Sequence, residues 1–383
     1  MQKVAVLGGG LVGASLAYRL ACHGAQVTVF DRADAGQATA AGAGILPPLD
    51  HFIGVPAVLP LLRAARQHYP ELLRVLAEDG ELDTGYDVVG ALQVASNELE
   101  LAELVHLERE CVARRDAGFG HIGELRLLDG ADARQHFPLL SQTVRGALYA
   151  AGAARIDARR LLAALRRAFQ KRGGSWQSAS AEVALAGDRA LGLISGGRLW
   201  PADAVVIAAG AWSALEGERL GLPLLARPQR GQLVHLELPG TDTSRWPIVL
   251  GFGTHYLLSF PPNRIVAGAT REDSSGYDAS VTAGAIHAVL ESALRLAPGL
   301  ARARLSELRS GLRPLSPDGK PILGASALHP NLYLATGHGG YGLEVGPYSG
   351  ALVADLIVGK PPALDLSPFA LSRFQEPGGT LRI

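Results

Sequence analysis

Cysteine is almost missing from this chain. Cys22 and Cys111 are the full complement in 383 residues. Two cannot form a disulfide framework or a cysteine-based metal cluster, and each is expected to be a small buried apolar residue of a cytoplasmic protein. Net charge is missing too, because 36 basic and 36 acidic side chains cancel. With no basic stripe and no basic amphipathic run, neither nucleic acid nor a membrane surface is expected as a partner. Lysine is scarce: Lys3, Lys171, Lys320 and Lys360 are all there is, and the other basic residues are arginine, a bias that reads as genomic base composition. Long apolar runs are also lacking. The stretch from Lys3 to Tyr18 imitates a signal peptide, but "LGGGLVG" is a poor apolar helix, and Arg19 ends the run short of the roughly 18 residues a membrane span needs. No internal repeat, low-complexity linker or metal-ligand spacing is found; His255 and His287 stand singly and are expected to be structural.

What is present is length and pattern. A chain of 383 residues with 48% hydrophobic content suits roughly two domains. The opening reads strand (3–8), helix (11–24, closed by a glycine), strand (25–30): a βαβ unit, implying a parallel sheet covered by helices. Helices are expected over 57–79, 98–115, 157–174 and about 282–296, the third with an Asp157 N-cap. Strands are expected at 90–96, 203–213, 231–238, 254–260 and 264–270. Residues 331–359 read strand, glycine loop, helix, and the tail beyond Pro361 as a loosely packed extension. Because βαβ features occur at the start, middle and end, the fold class expected is α/β with an inserted α+β part. A Rossmann-like nucleotide-binding domain, discontinuous in sequence (1–50, 141–225, 308–383), would carry an inserted antiparallel-sheet substrate domain (51–140, 226–307).

The first turn carries Gly8-x-Gly10-x-x-Gly13. Gly8 permits a tight turn, Gly10 lets the backbone approach a pyrophosphate, and Gly13 lets the helix lie close to the strand. Asp31 ends the second strand, where it can accept from ribose hydroxyls. A merely glycine-rich turn would not need all of these together. Two further glycine-rich approaches, "TAAGAGIL" (39–46, read as small residues opening a helix) and "TGHGGYGLEVGP" (336–347), join the turn at Gly210. Three such approaches suit a cofactor lying extended across the domain, FAD rather than a nicotinamide dinucleotide.

On "GGGLVGASLAYRLA" with Asp31, "AAGAGILPPL", "AAGAWS", "RGQLV", "VAGATRE", "SGLRPLSPDGKPILG" and "LATGHGGYGLEVGPYSGALVADLI", nearly the whole chain resembles the D-amino acid oxidase superfamily of FAD-dependent oxidoreductases. Within it, the chain is most similar to the glycine oxidase branch associated with thiamine biosynthesis. The resemblance implies that Leu11, Val12, Asp31, Arg32, Thr39, Ala43, Gly44 and Ile45 touch FAD. It implies the same of Val183 (through its backbone, at the adenine), of Gly210, and of the loop Gly339, Gly340, Tyr341, Gly342 and Leu343. It implies Arg313 over the flavin, holding the substrate carboxylate, with Tyr256 on the neighbouring wall. Glycine oxidases usually carry arginine and asparagine after the loop histidine. Here those positions are Gly340 and Tyr341, a form closer to D-amino acid oxidases and dehydrogenases, and a roomier pocket is expected.

Arg313 stands between Gly311-Leu312 and a run with three prolines, a stiff setting that suits a guanidinium fork gripping a planar carboxylate. A structural pairing with Asp318 is the plain alternative. Tyr256 could equally be an ordinary core tyrosine, His338 is expected to support its loop, and Glu344 is either a solvated loop acid or a group near the flavin or a substrate ammonium. The activity implied is oxidative deamination of a small amino acid (glycine, sarcosine or a D-amino acid) by hydride transfer from Cα to flavin N5. Two alternatives stand beside it: a sarcosine- or proline-type dehydrogenase, and a flavin-binding subunit of a heteromeric complex. The sequence is compatible with a monomer or a homo-oligomer.

Overall fold

A computed structural model describes residues 1–47, 55–118 and 120–374. The apolar run of Lys3–Leu7 lies between Gln26–Phe30 and Ala204–Ile207, parallel to both, with Val6 opposite Val29 and Val206. Such strands are covered on both faces, and the valines are accordingly buried. Ser175–Gln177 extends one edge of this six-stranded sheet, and Leu332–Thr336 followed by antiparallel Ile322–Ala325 the other. Helix Leu11–Cys22 runs back over the sheet and meets the final helix, Gly342–Ile357, at very close range. A Cβ on Gly350 would stand 2.7 Å from the Val12 carbonyl oxygen and 2.8 Å from the Leu16 nitrogen, so only glycine allows this crossing.

The second sheet has eight strands, in the order Arg304–Leu315, Arg227–Glu237, Arg264–Gly268, Tyr256–Phe260, Ile248–Leu250, Ala91–Ala95, Gly146–Ala150, Leu125–Asp129. Every pairing is antiparallel except Ala91–Ala95 with Ile248–Leu250. Helix Ala283–Leu296, capped by the Thr282 side chain, packs on it through Val289 and Ala293. The expected helices form within a few residues of their expected ends, and Asp157 caps Ala158–Lys171 by accepting from the amides of Arg159 and Arg160. Among the described residues, no helix is long and apolar enough to cross a membrane.

Five readings differ from the structure. Residues 39–46 are turns ending in the short strand Ile45–Leu46, not a helix opening; small residues here serve close approach rather than helix propensity. A three-stranded antiparallel sheet, Glu182–Ala186, Arg189–Ser195 and Arg198–Pro201, was not expected. Its second hairpin turns at Gly196-Gly197, both at positive φ. Arg313 lies in a twelve-residue strand, not in a turned segment. Beyond Pro361, Leu366, Phe369, Leu371 and Phe374 are buried, so the chain to Phe374 is packed by apolar contact rather than loose. Finally, Gly146–Ala150 belongs to the eight-stranded sheet and Arg304–Leu315 straddles 307/308. Drawn by sheet membership, the chain changes sheets after Ala150 rather than at 141.

Candidate active site

One cavity of about 580 Å³ runs from the carboxyl ends of the parallel strands to the inner face of the eight-stranded sheet. That is where a doubly wound sheet leaves a crevice. At its first end the chain turns at Gly8, whose φ of 104° puts it in the left-handed region. Helix Leu11–Cys22 has no side-chain cap and no acid in its first turn. The Leu11 amide is taken by Thr39 Oγ1 at 3.0 Å, and the helix dipole is left to an anion. Gly13 does not line the cavity; a Cβ there would meet the Gly8 carbonyl oxygen at 2.0 Å, so its smallness serves helix–strand packing. Asp31 lines the cavity and accepts from Gly9 N (2.6 Å), Ala33 N (2.7 Å) and Gln37 Nε2 (2.8 Å). A carboxylate has lone pairs for about four donors, so a ribose hydroxyl can still be accommodated.

Of the residues expected to hold cofactor or substrate, all but Gly13 and Val183 line this cavity. Val183 is buried beside it, and its backbone is already engaged: its N–H donates to Glu216 Oε1 at 2.7 Å, and its carbonyl accepts from Arg219. The wall there is made instead by Ala179, Ala181 and Glu216.

At the other end stands Arg313. It faces Gln229 across the ladder between Arg304–Leu315 and Arg227–Glu237. Its Nη1 donates to the Thr270 carbonyl at 3.1 Å and to Gln229 Oε1 at 3.5 Å. The guanidinium occupies the space a side chain at Gly231 would take, since a Cβ there would fall 2.3 Å from Nη2. A Cβ on Gly340 would stand 3.9 Å from Arg313 Cδ. The fork is thus flanked by Gly231 and the Gly340 loop and anchored by one carbonyl, and burial lowers its pKa from the usual arginine value. Asp318 pairs with Arg373 at 2.9 Å and with Lys320 at 3.2 Å, which disposes of the pairing considered for Arg313.

Tyr256 lines the cavity beside this fork, its phenol against Gly268. Burial pushes its pKa up to about 12, so it keeps its proton at neutral pH. His338 is 2% exposed, and burial pulls its pKa down to about 3, consistent with a neutral ring supporting the loop. His287 is exposed, whereas His255 is on the cavity wall. Glu344, 2% exposed, lines the cavity with Arg66 Nε 3.9 Å away; it is no solvated acid. The sequence reading gave no role to Arg271, Gln229, Trp212 or Gln37, which also line the cavity. Arg271 lies within the quoted "VAGATRE", and its basic charge after a glycine-bearing strand was the available signal.

The glycine-cradled end fits a flavin dinucleotide: a helix N-terminus with glycine at its N-cap and no acid in its first turn, an acid at the second strand, and the open backbone at Gly210, where a Cβ would meet nothing within 4 Å. The family described as FAD dependent oxidoreductase (DAO) matches residues 3–356. An uncharacterised oxidoreductase, YurR, of Bacillus subtilis (strain 168) is 38% identical over all of both chains. The glycine oxidase of Geobacillus kaustophilus (strain HTA426) is 31% identical, covering 97% of this chain and 96% of its own. The solved iminodiacetate oxidase of Chelativorans sp. BNC1 superposes with a TM-score of 0.92 at 38% identity, covering 96% and 98% of the two chains.

Proposed function

The chain belongs to the DAO family of FAD dependent oxidoreductases, and on that premise we propose that it oxidises the Cα–N bond of a small amino acid whose carboxylate is held by Arg313. One observation carries this reading: a guanidinium set in the cavity wall, anchored by a backbone carbonyl and flanked by glycines. Such a fork holds a planar carboxylate bidentately, and fixing the carboxylate fixes the direction of the substrate's Cα–H. Bound along residues 8–45 and 339–343, FAD would supply the two-electron chemistry, accepting a hydride from Cα and leaving an imine that water hydrolyses to an oxo acid and an amine. Tyr256, protonated at neutral pH, is suited to donate a second hydrogen bond to the carboxylate. Ile45, Leu233 and Leu250 on the same cavity would exclude water from the reacting carbon, where positioning supplies much of the rate.

A secondary amine is the favoured substrate. The space beside Arg313 at Gly340 is open to bulk on the nitrogen or on Cα, and a protein 38% identical over nearly its whole length is an iminodiacetate oxidase. A cytoplasmic location is part of the same proposal. Steady-state comparison of glycine, sarcosine, iminodiacetate, D-alanine and D-proline, with identification of the oxo acid, tests the reading. An N-substituted or side-chain-bearing substrate is expected to exceed glycine in kcat/KM by about tenfold, equivalent to roughly 1.4 kcal/mol. Glycine as the best substrate would restore a simple glycine oxidase. Reduction of the flavin without reoxidation by oxygen would identify the dehydrogenase alternative, and failure of every amine to react the flavin-binding subunit.

A further inference from the structure

The cavity holds a second arginine that the reaction outlined above does not use. Arg271 lines it one residue beyond Thr270, whose carbonyl anchors Arg313. Its side chain is exposed and makes no hydrogen bond or ion pair among the described residues. The acids next to it are committed elsewhere. Glu272 binds Arg230 at 2.7 Å and accepts from Gln232 and Thr270, while Asp273 accepts from Gln229 at 2.8 Å. Two guanidinium groups therefore share one end of a cavity whose polar contacts leave the outer one unneutralised. Arg271 is close enough for its charge to act on both neighbours, adding to the burial that lowers the Arg313 pKa and opposing part of the burial-driven rise at Tyr256.

We propose that Arg271 is a second carboxylate-binding residue of this cavity, and that the preferred substrate carries two carboxylates, one on each arginine. This rests on the reading of Arg313 as the α-carboxylate fork. The second carboxylate can be borne on the amine nitrogen, as in an N-carboxymethyl amino acid, or on the side chain, as in an acidic amino acid; the chemistry that Arg271 recognises is the same. A solvated surface arginine is the simpler account, and it makes a different prediction, because it would not distinguish one carboxylate from two.

Calorimetric titration of the FAD-loaded protein separates the two accounts without requiring turnover. Thiodiacetate, with two carboxylates and no oxidisable amine, is compared with (methylthio)acetate, which has one. Thiodiacetate is expected to bind about threefold to fivefold more tightly, the gain of a charge-assisted pair with an exposed guanidinium. Arg271→Leu should bring that ratio close to one, and Arg271→Lys should keep part of it. Equal affinities in the wild type, or a ratio untouched by Arg271→Leu, would overturn the proposal. Anaerobic flavin bleaching then locates the second carboxylate: iminodiacetate fastest places it on nitrogen, aspartate fastest on the side chain, and sarcosine as fast as either contradicts the proposal while leaving the reading of Arg313 intact. If the two thioethers are distinguished but no amine bleaches the flavin, Arg271 stands as a subsite and amine oxidation falls.

Discussion

Arg313 can be removed or merely displaced, and the two changes have different costs. Arg313→Leu should leave FAD bound and the protein folded, while kcat/KM for the best amino acid falls by about 2–5 kcal/mol, the loss of a charge-assisted pair in a partly dry site. Gly231→Ala is the displacement. The new methyl group would sit 2.3 Å from Nη2, and the mobile end of a side chain can yield where backbone cannot. Stability should therefore change by less than about 1 kcal/mol, while kcat/KM falls at least about tenfold; chemical denaturation and steady-state kinetics on the same sample check both. His338 is a stability residue by the same reasoning. Unfolded, it takes up a proton near pH 6.5; folded, only near 3. Between those values the unfolded chain binds more protons. The contribution to stability is therefore complete above pH 6.5 and is lost as pH falls, by up to about 1.4 kcal/mol per pH unit. His338→Gln should flatten that slope in urea midpoints measured from pH 7 to 5 with FAD in fixed excess.

Elements whose reasons are local were legible in the sequence. The βαβ opening and the Asp157 cap each follow from a few adjacent residues, and each forms. The strand Arg304–Leu315 was hidden because Gly311 and Pro314 speak against a strand. The ladder tolerates them by placing Pro314 opposite Pro228, near its end, and Gly311 opposite Gly231. The hairpin at Gly196-Gly197 did carry a signal, two glycines between short apolar runs, and was overlooked. Residues 39–46 were misread because small residues favour both a helix opening and close backbone approach, and sequence alone does not choose. The packing of helix Leu11–Cys22 against Gly342–Ile357 gives a test at this scale. Alanine at Gly350 would gain up to about 1 kcal/mol of helix propensity. Its methyl group would meet backbone atoms at 2.7 and 2.8 Å, contacts that cannot open without moving a helix. A net loss of about 1–3 kcal/mol is expected, read as a lower Tm; an unchanged or higher Tm would show that the helices can part.

In the whole molecule, the two sheets do separate work around one cavity. The parallel sheet brings glycine turns and Asp31 to one end, and the eight-stranded sheet brings Arg313, Tyr256 and Arg271 to the other. The cofactor end was legible because its motif is contiguous in sequence. The substrate end draws on residues 229–233, 254–256, 268–271 and 311–315, and only the ladder registers bring these together. The purified protein should be yellow and release FAD on denaturation. FAD at a hundred times its Kd should raise stability by about 2.7 kcal/mol over the cofactor-stripped protein, visible as a higher Tm. The most direct test of the central claim, that this cavity oxidises a small amino acid held by Arg313, is anaerobic mixing of the FAD-loaded enzyme with iminodiacetate and sarcosine while flavin absorbance is followed. The account predicts full bleaching by at least one of them in the wild type, and bleaching slowed at least about thirtyfold in Arg313→Leu. Bleaching at equal rates in both proteins would contradict it.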